Sequence, residues 1–580
     1  MKVKKLVAVI AAGSAVLAAC SSADNSTADG SERSSDDGAQ ESVDEREQGD
    51  GAGEEAEPTE EAAAVVVEPT SLLVIGAEAS EISIAMSEQF FESSPGAVVT
   101  DEELQLEAAS LGMAYAVPVL VEGDGIVDEL ERLDATWVIT VGVELEDMED
   151  VEAIPAVLPA EVEEESGSED SAEESTGVSA EDEAESDVTG EESSIPDEGE
   201  EIEVDPSLTV VAPEGEGLDA LLSLAEGEAF VAPELTDIEL EHDIDLLDGV
   251  VVLTDGSSIA AVGTAHAAGA DIVLSPADPR GSSEAIQAVG SADIVVGLFE
   301  EELEDFEWQL AVASTGVELP GGTQHVFGGK RYIALYGSPI TPALGLLGEQ
   351  DVPSTVARAE EMTEPYRALT EDTVVPAQEI IVTVAAGDPG DDGNYSNEGP
   401  VEWFIPLIEA AGDAGQYVIL DFQPGRTDFL TQVQQYEELL AYPHVGIALD
   451  PEWRLGPDEV PLTRIGHVEI DEVNEVIAYL SDYVRENNLP QKMVVLHQFQ
   501  LQMIRDRDQL DLSRSEVALL IHADGQGSQG AKAATWQALH QDAPEGIAWG
   551  WKNFIDEDLP MLTPEETYAV EPMPEFVSYQ

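Results

Sequence analysis

Beyond Lys330, acids, histidines and one lysine stand at the ends of apolar runs. In GIALDPEW, Asp450 and Glu452 lie two residues apart after such a run. Neighbouring carboxyls push their pKa values apart, so one can carry a proton while the other stays ionised, as acid–base hydrolysis requires. Asp421 closes LDFQ-type polar punctuation after another apolar stretch. His497 and Gln498 end MVVLHQ, His522 and Asp524 end ALLIHAD, and Lys552 follows Trp549 and Trp551 in AWGWK. Indole rings stack on sugar faces, and the glycine-rich loop His522–Gly527 is suited to a hydroxyl-rich ligand. Imidazole together with carboxylate also suits zinc or a similar ion, so a metal-dependent hydrolase is a second reading. No His-x-His follows the first strand candidate. A third reading makes Asp450 and Glu452 a purely structural rim network with Arg454, Arg426 or Lys552.

Several chemistries are excluded. Cys20 is the only cysteine, so thiol catalysis in the C-terminal half and an intrachain disulfide are both impossible. No G-x-S-x-G elbow is present. With 124 acidic and 21 basic residues, the formal net charge is −103, which argues against nucleic acid as a partner. No cofactor and no metal are expected under the acid–base reading.

The elements that must position these side chains follow from periodicity. Eight apolar runs read as strands: 331–337, 379–387, 416–423, 444–453, 491–499, 516–524, 545–552 and 575–580. Helical stretches fall between them near 352–369, 401–414, 427–441, 470–487, 500–510, 530–541 and 564–569. Eight βα repeats in about 250 residues predict a (β/α)8 barrel, whose active site lies at the C-terminal ends of its strands. Alternation predicts three inward rows: Gly446, Ala448, Asp450 and Glu452; Ala518, Leu520, His522 and Asp524; Ala548, Gly550 and Lys552. The turn-rich stretch 387–400 is placed to cover the site.

Upstream, residues 66–160 and 207–329 alternate short strands with helices of about 10–15 residues, the pattern of small parallel α/β units. Strands are expected at 71–77, 96–101, 118–123 and 137–143, with helices at 80–93, 103–116 and 126–132. The runs AASLGMAYAVPVLVEG and AVGTAHAAGADIVLSP, each with its following helix and strand, resemble the cell wall-binding repeat 2 of Gram-positive surface proteins. That resemblance implies modules that hold an anionic wall polymer. Few basic residues serve such a ligand, Arg132 and Arg280 being nearly all there is.

The first twenty residues, MKVKKLVAVIAAGSAVLAAC, place Lys2, Lys4 and Lys5 before an apolar run too short for the roughly 20 residues a spanning helix needs. They read as a secretory signal. Leu17-Ala18-Ala19-Cys20 resembles the bacterial lipobox, which implies a lipid on Cys20 and a chain held at the outer face of the membrane. Residues 21–65 and 161–206 are acidic, rich in Ser and Gly, and expected to be disordered. Lysine depletion in the folded part (Lys330, Lys492, Lys532 and Lys552 alone beyond the signal) predicts a protein adapted to high salt, where screening removes self-repulsion.

The stretches LDFQPGRTDF, GIALDPEWRL, LHQFQ, HADGQG and WGWKNF resemble the C-terminal region of bacterial envelope lipoproteins, a group that brings no activity with it. GIALDPEW by itself is similar to the acid-bearing strand of chitinase-like and lysozyme-like barrel hydrolases. That likeness implies Glu452 as the general acid, Asp450 as its partner and Asp421 as a stabiliser. Pro451 and the missing DGxDxDWE run depart from the chitinase pattern. The expectation is an envelope-anchored barrel, residues 330–580, that binds or hydrolyses glycans through Glu452, Asp450 and Asp421, with His497, Gln498, His522, Asp524, Trp549, Trp551 and Lys552 contacting substrate. A non-catalytic binding or scaffold lipoprotein is its main alternative.

Overall fold

The computed structural model describes residues 64–145 (save 70–72 and 77), 151–156, 217, 220 and 246–580 (save 300–302 and 304). The signal, Cys20, most of the first acidic tract, the whole second tract and nearly all of the second α/β region before residue 246 lie outside the described residues. Val65–Val66, at the end of the expected linker, pairs antiparallel with Phe91–Ser93.

Two four-stranded parallel sheets precede the barrel. One runs in the order Val119–Val121, Gly96–Thr100, Trp137–Val141, Glu152–Pro155. The other runs Leu73–Val74, Ile294–Leu298, Val250–Thr254, Asp271–Leu274. The strand expected at 71–77 thus exists, but Leu73 pairs with Gly297 of the second sheet rather than opening the first. The two sheets also share a helix interface. Helix Gln105–Tyr115 packs on helix Ile259–Ala267, and a Cβ on Gly263 would stand 2.6 Å from that of Ala109. Thr264 Oγ1 receives the Val119 N–H at 2.9 Å across the same junction. The alanine-rich helices are therefore the close-approach surface between sheets, where a larger side chain would overpack.

The C-terminal region is a closed barrel of eight parallel strands. They are β1 (Lys330–Gly337), β2 (Thr373–Ala385), β3 (Tyr417–Phe422), β4 (Val445–Leu449), β5 (Lys492–Gln498), β6 (Val517–Ala523), β7 (Ala548–Asn553) and β8 (Phe576–Tyr579). Neighbours in sequence are neighbours in the barrel, and β1 closes the ring by pairing with both β2 and β8. All eight expected strands are present. The one large shift is β2, which begins at Thr373 rather than 379. Ser396–Glu398, within the turn-rich stretch after β2, folds back antiparallel on it. The helix expected near 500–510 is instead two short 3-10 turns, Leu501–Met503 and Arg507–Gln509.

Alternation divides each strand. Tyr332, Ala334, Val375, Ala377, Tyr417, Ile419, Ala448, Met493, Val495, Leu520 and Phe576 form one buried cluster inside the barrel. Ile333, Leu335, Ile380, Leu420, Ile447, Leu496, Ile521 and Val577 belong to another, packed against the helices. Leu319 and Val326, just before β1, join the interior cluster at the N-terminal end. Apolar layers thus fill the lower barrel and leave the polar chemistry to the C-terminal mouth.

Candidate active site at the barrel mouth

Continuing the inward rows toward the strand ends brings polar side chains from all eight strands together. β1 supplies Tyr336, β2 Glu379, and β3 Asp421. β4 ends at Asp450, followed by Glu452. β5 supplies His497, β6 His522 and Asp524, β7 Lys552, and β8 Ser578. Gly550 on β7 makes room for this crowding, since a Cβ there would meet His522 Cδ2 at 2.7 Å. Glu379, Asp421, His497 and His522 are wholly buried, and Asp450 and Lys552 nearly so.

His497 is the hub. Its Nε2 lies 2.7 Å from Glu379 Oε1, and its Nδ1 lies 2.9 Å from Asp524 Oδ2. The Nδ1 contact is an ion pair whose angle falls short of a hydrogen bond. With a carboxylate on each nitrogen, the ring is an imidazolium. Burial alone would lower its pKa, but the charges of Glu379, Asp524 and Asp421 outweigh burial and hold it well above the ordinary histidine value. Lys552 is the second cation. Its Nζ stands 3.2 Å from Asp524 Oδ1 and 3.4 Å from the centroid of the Tyr336 ring. Burial opposes its charge, and Asp524, Glu379, Asp421 and Asp450 restore it and raise its pKa.

The acids divide into two sets. Burial would push Asp524 up, but Lys552 and His497 overcome that and keep it ionised; Glu379 is held down in the same way, chiefly by His497. Asp421, Asp450 and Glu452 shift the other way. Burial drives all three up, with Asp421 pushed to about 6 and Asp450 raised well above its usual range. After burial, the charge of Asp524 is the largest influence raising Glu452. Tyr336 Oη donates to Asp421 Oδ2 at 2.8 Å, while Asp421 Oδ1 is buried without a partner. His522 accepts or donates at Nε2 with Ser578 Oγ, 3.2 Å away, and burial drops its pKa to about 3, so it is neutral.

Above this cluster opens a cleft of about 420 Å³. Asp450, Glu452, Asp524 and Lys552 line it, with Trp453, Phe499, Phe554 and Tyr336 as aromatic walls and Gln423, Gln526, Gln580 and Thr535 as uncharged polar contacts. Asp450 also shapes the rim, because its Oδ1 accepts the Glu452 N–H and caps the turn Pro451–Trp453. That cap points the Glu452 segment over the mouth.

Asp421, Asp450, Glu452, His497, His522, Asp524 and Lys552 therefore meet at one place. Gln498, Trp549 and Trp551 do not, and their expected contact with substrate is corrected. Each has the opposite parity to its neighbour in the site. Gln498 accepts from Arg507 Nη1 at 2.7 Å outside the barrel. Trp549 stacks on His540 at 3.6 Å, and Trp551 packs edge-on against Trp536 at 5.5 Å, in the layer between strands and helices. The rim network imagined for Arg454 and Arg426 is absent too. Arg454 pairs with Glu472, and Arg426 lies over Tyr395. Tyr336, Glu379 and Ser578 went unnoticed in the sequence. The inward parity of Tyr332 and Ala334 would have found Tyr336.

Two sets of donors lie close enough to share a metal ion: Glu379, His497 and His522, and Asp421, Asp450 and His497. Both run through His497, and a ligating imidazole must be neutral with a free nitrogen. His497 is flanked by carboxylates on both sides, so the arrangement does not fit a metal without dismantling the hub.

Fold and site together define a (β/α)8-barrel protein with a buried acid–base cluster at its C-terminal mouth. No family model and no curated protein matches the chain. Among solved structures, Cwp6 from Clostridium difficile aligns over 64% of this chain and 65% of that one, at 13% identity and a TM-score of 0.26. An enolase from Pseudomonas fluorescens, with bound magnesium, potassium and tartrate, aligns over 43% of this chain and 48% of that one, at 13% identity and a TM-score of 0.22. The chain thus spans less than two thirds of either. Likeness this slight carries no argument, and the barrel stands on its own strand pairing. Among the described residues no helix is long and apolar enough to cross a membrane.

Proposed function

We propose that the barrel is a glycan-directed hydrolase of the cell envelope, with Glu452 as general acid. The observation that carries this reading is the division of carboxyls within one cleft: Glu452 is pushed toward its protonated form and Asp524 is held ionised. Such a pair is what glycoside cleavage needs, one group to protonate the leaving oxygen and the other to face the positive charge that develops at the sugar. Asp524 takes the place of Asp450 as the ionised partner. Asp450 keeps a proton and fixes the Glu452 turn, so it positions the acid. Lys552 and His497 hold Asp524 ionised from two sides. The aromatic walls and uncharged amides around the cleft suit sugar rings and hydroxyls.

The test is Glu452→Gln, assayed as reducing ends released from purified wall glycan. Turnover should fall about 10²–10⁴-fold, the contribution of a positioned general acid, with binding retained. Wild-type protein that binds glycan but releases nothing would leave a receptor in place of an enzyme. The lipobox-like Cys20 supports a lipid tether at the outer membrane face, with the upstream α/β sheets as wall-associated modules. Cys20→Ala should move the protein from the membrane to the soluble fraction; unchanged partition would remove the anchor.

A further inference from the structure

We infer that Glu379, which does not line the cleft, is a positioning residue: it is the counter-ion that lets His497 carry a charge beneath Asp524, and through His497 it keeps the cleft's ionised acid in place. Its consequence for turnover rests on the hydrolase reading of the same site, whereas the pairing itself stands on geometry. Four side chains of alternating charge follow one another. Glu379 Oε1 meets His497 Nε2 at 2.7 Å, His497 Nδ1 meets Asp524 Oδ2 at 2.9 Å, and Asp524 Oδ1 meets Lys552 Nζ at 3.2 Å. Asp524 and Lys552 line the cleft, while Glu379 is wholly buried below it. The first contact joins β2 to β5, across the barrel interior rather than between paired strands.

The balance of charge gives Glu379 its part. Asp524 turns one oxygen to His497 and the other to Lys552, so a single carboxylate serves two buried cations. A buried cation without a counter-charge of its own is costly. The other groups around the imidazole do not supply one. Tyr336 of β1, with ring centroids 6.1 Å apart, donates its hydroxyl to Asp421. Asp421 of β3 accepts that bond and ionises only above about pH 6. Asp450 of β4 stands 3.9 Å from Nδ1, but burial keeps its proton on, and burial pushes Glu452 the same way. On β6, His522 packs edge-on at 5.0 Å and is neutral, Lys552 of β7 repels, and β8 offers only the uncharged Ser578. Glu379 brings a second full negative charge at hydrogen-bond distance, and its Oε2 has no other partner to share it. With Glu379 the succession holds two anions and two cations. Without it two cations face Asp524 alone, His497 gives up its proton more readily, and Asp524 is left with Lys552.

The experiment is NMR of the full chain labelled at the histidine nitrogens, with His497 assigned from its loss in His497→Asn. In the wild type both ring nitrogens should stay protonated from about pH 5 to about pH 9, well past the ordinary histidine value. Glu379→Gln, which keeps an acceptor for the Nε2–H, should lower the proton affinity of His497 about a hundredfold and bring its titration into that range. A wild-type His497 that is neutral at neutral pH, or one that keeps both protons throughout the range in Glu379→Gln, overturns the inference. Should the variant not fold, the wild type decides through its Nε2–H, which must be shifted strongly downfield by the 2.7 Å contact; an ordinary shift overturns the pairing. Turnover gives the second readout. The acid limb of glycan release should move to higher pH by about one unit in Glu379→Gln, because Asp524 holds a proton more tightly beside a neutral imidazole. A lower plateau with unmoved limbs overturns the positioning role. Wild-type protein that releases nothing from glycan sinks the hydrolase reading, and the nitrogen spectrum then still decides the pairing.

Discussion

Replacing Lys552 by methionine removes one charge from the centre of the site while nearly preserving its volume. The Nζ–Oδ1 distance to Asp524 is 3.2 Å, so at an effective dielectric constant near 20 the attraction is about 5 kcal/mol. Methionine recovers the desolvation penalty of the ammonium but leaves Asp524 facing His497 alone. The contact with the Tyr336 ring is lost as well, on the order of 1–2 kcal/mol. Breaking one side of a buried pair costs about 3–5 kcal/mol, and the lower end applies because His497 still neutralises part of Asp524. For a domain of this size, ~3 kcal/mol corresponds to a fall in Tm of roughly 6–12 °C. Urea unfolding followed by tryptophan fluorescence reads it directly, since Trp549 and Trp551 flank Lys552 and pack on Trp536. The double variant Lys552→Met/Asp524→Asn removes both charges and should recover at least half of the loss. A single-variant loss under about 1 kcal/mol, or a double variant in which the two effects simply add, would refute the claim that this cation holds the site together.

His522 gives the pH dependence a sign. Its pKa is about 3 in the folded protein against 6.5 in the unfolded chain, so between those values only the unfolded chain takes up the proton. Stability then falls on acidification from pH 6.5, by up to about 1.4 kcal/mol per unit. Asp421, at about 6 folded and 3.8 unfolded, works in the opposite sense below pH 6. His522→Asn removes the first effect only, so relative to wild type its urea midpoint should rise between pH 6 and 4.5; parallel profiles would show that the imidazole is not buried neutral. Trp549→Ala should lower stability by about 3–5 kcal/mol through the cavity left beside His540 and Trp536, with glycan affinity unchanged. A tenfold loss of affinity at unaltered stability would put that indole back in the cleft.

Which parts of this site could be read in advance follows from what each depends on. The eight strands were legible because parallel barrel strands are short apolar runs between helices, and such runs need no knowledge of their partners. The inward rows of β4, β6 and β7 were legible because parity is local. The same parity, applied one residue further, assigns Trp549 and Trp551 outward beside Lys552, and Gln498 outward beside His497. Those three were misplaced by chemical appeal, against a rule already in hand. Glu379 was hidden differently. Pro376 breaks the run TVVPAQ as read in sequence, yet it sits within β2 in register with Ile333 of β1. β2 therefore starts six residues early, and Glu379 becomes a mid-strand residue facing His497. Leu73 was out of reach altogether, because a two-residue strand carries no sign of which sheet will take it. The roles of the acids were equally hidden. Asp450 and Glu452 look like a self-contained pair in GIALDPEW, but their protons are held first by burial in the closed barrel and then tuned by charges arriving from β3, β5, β6 and β7. Asp524 stays ionised because Lys552 and His497 reach it from two other strands, and that charge in turn helps Glu452 keep its proton. The acid is legible as a residue; its protonation belongs to the closed barrel.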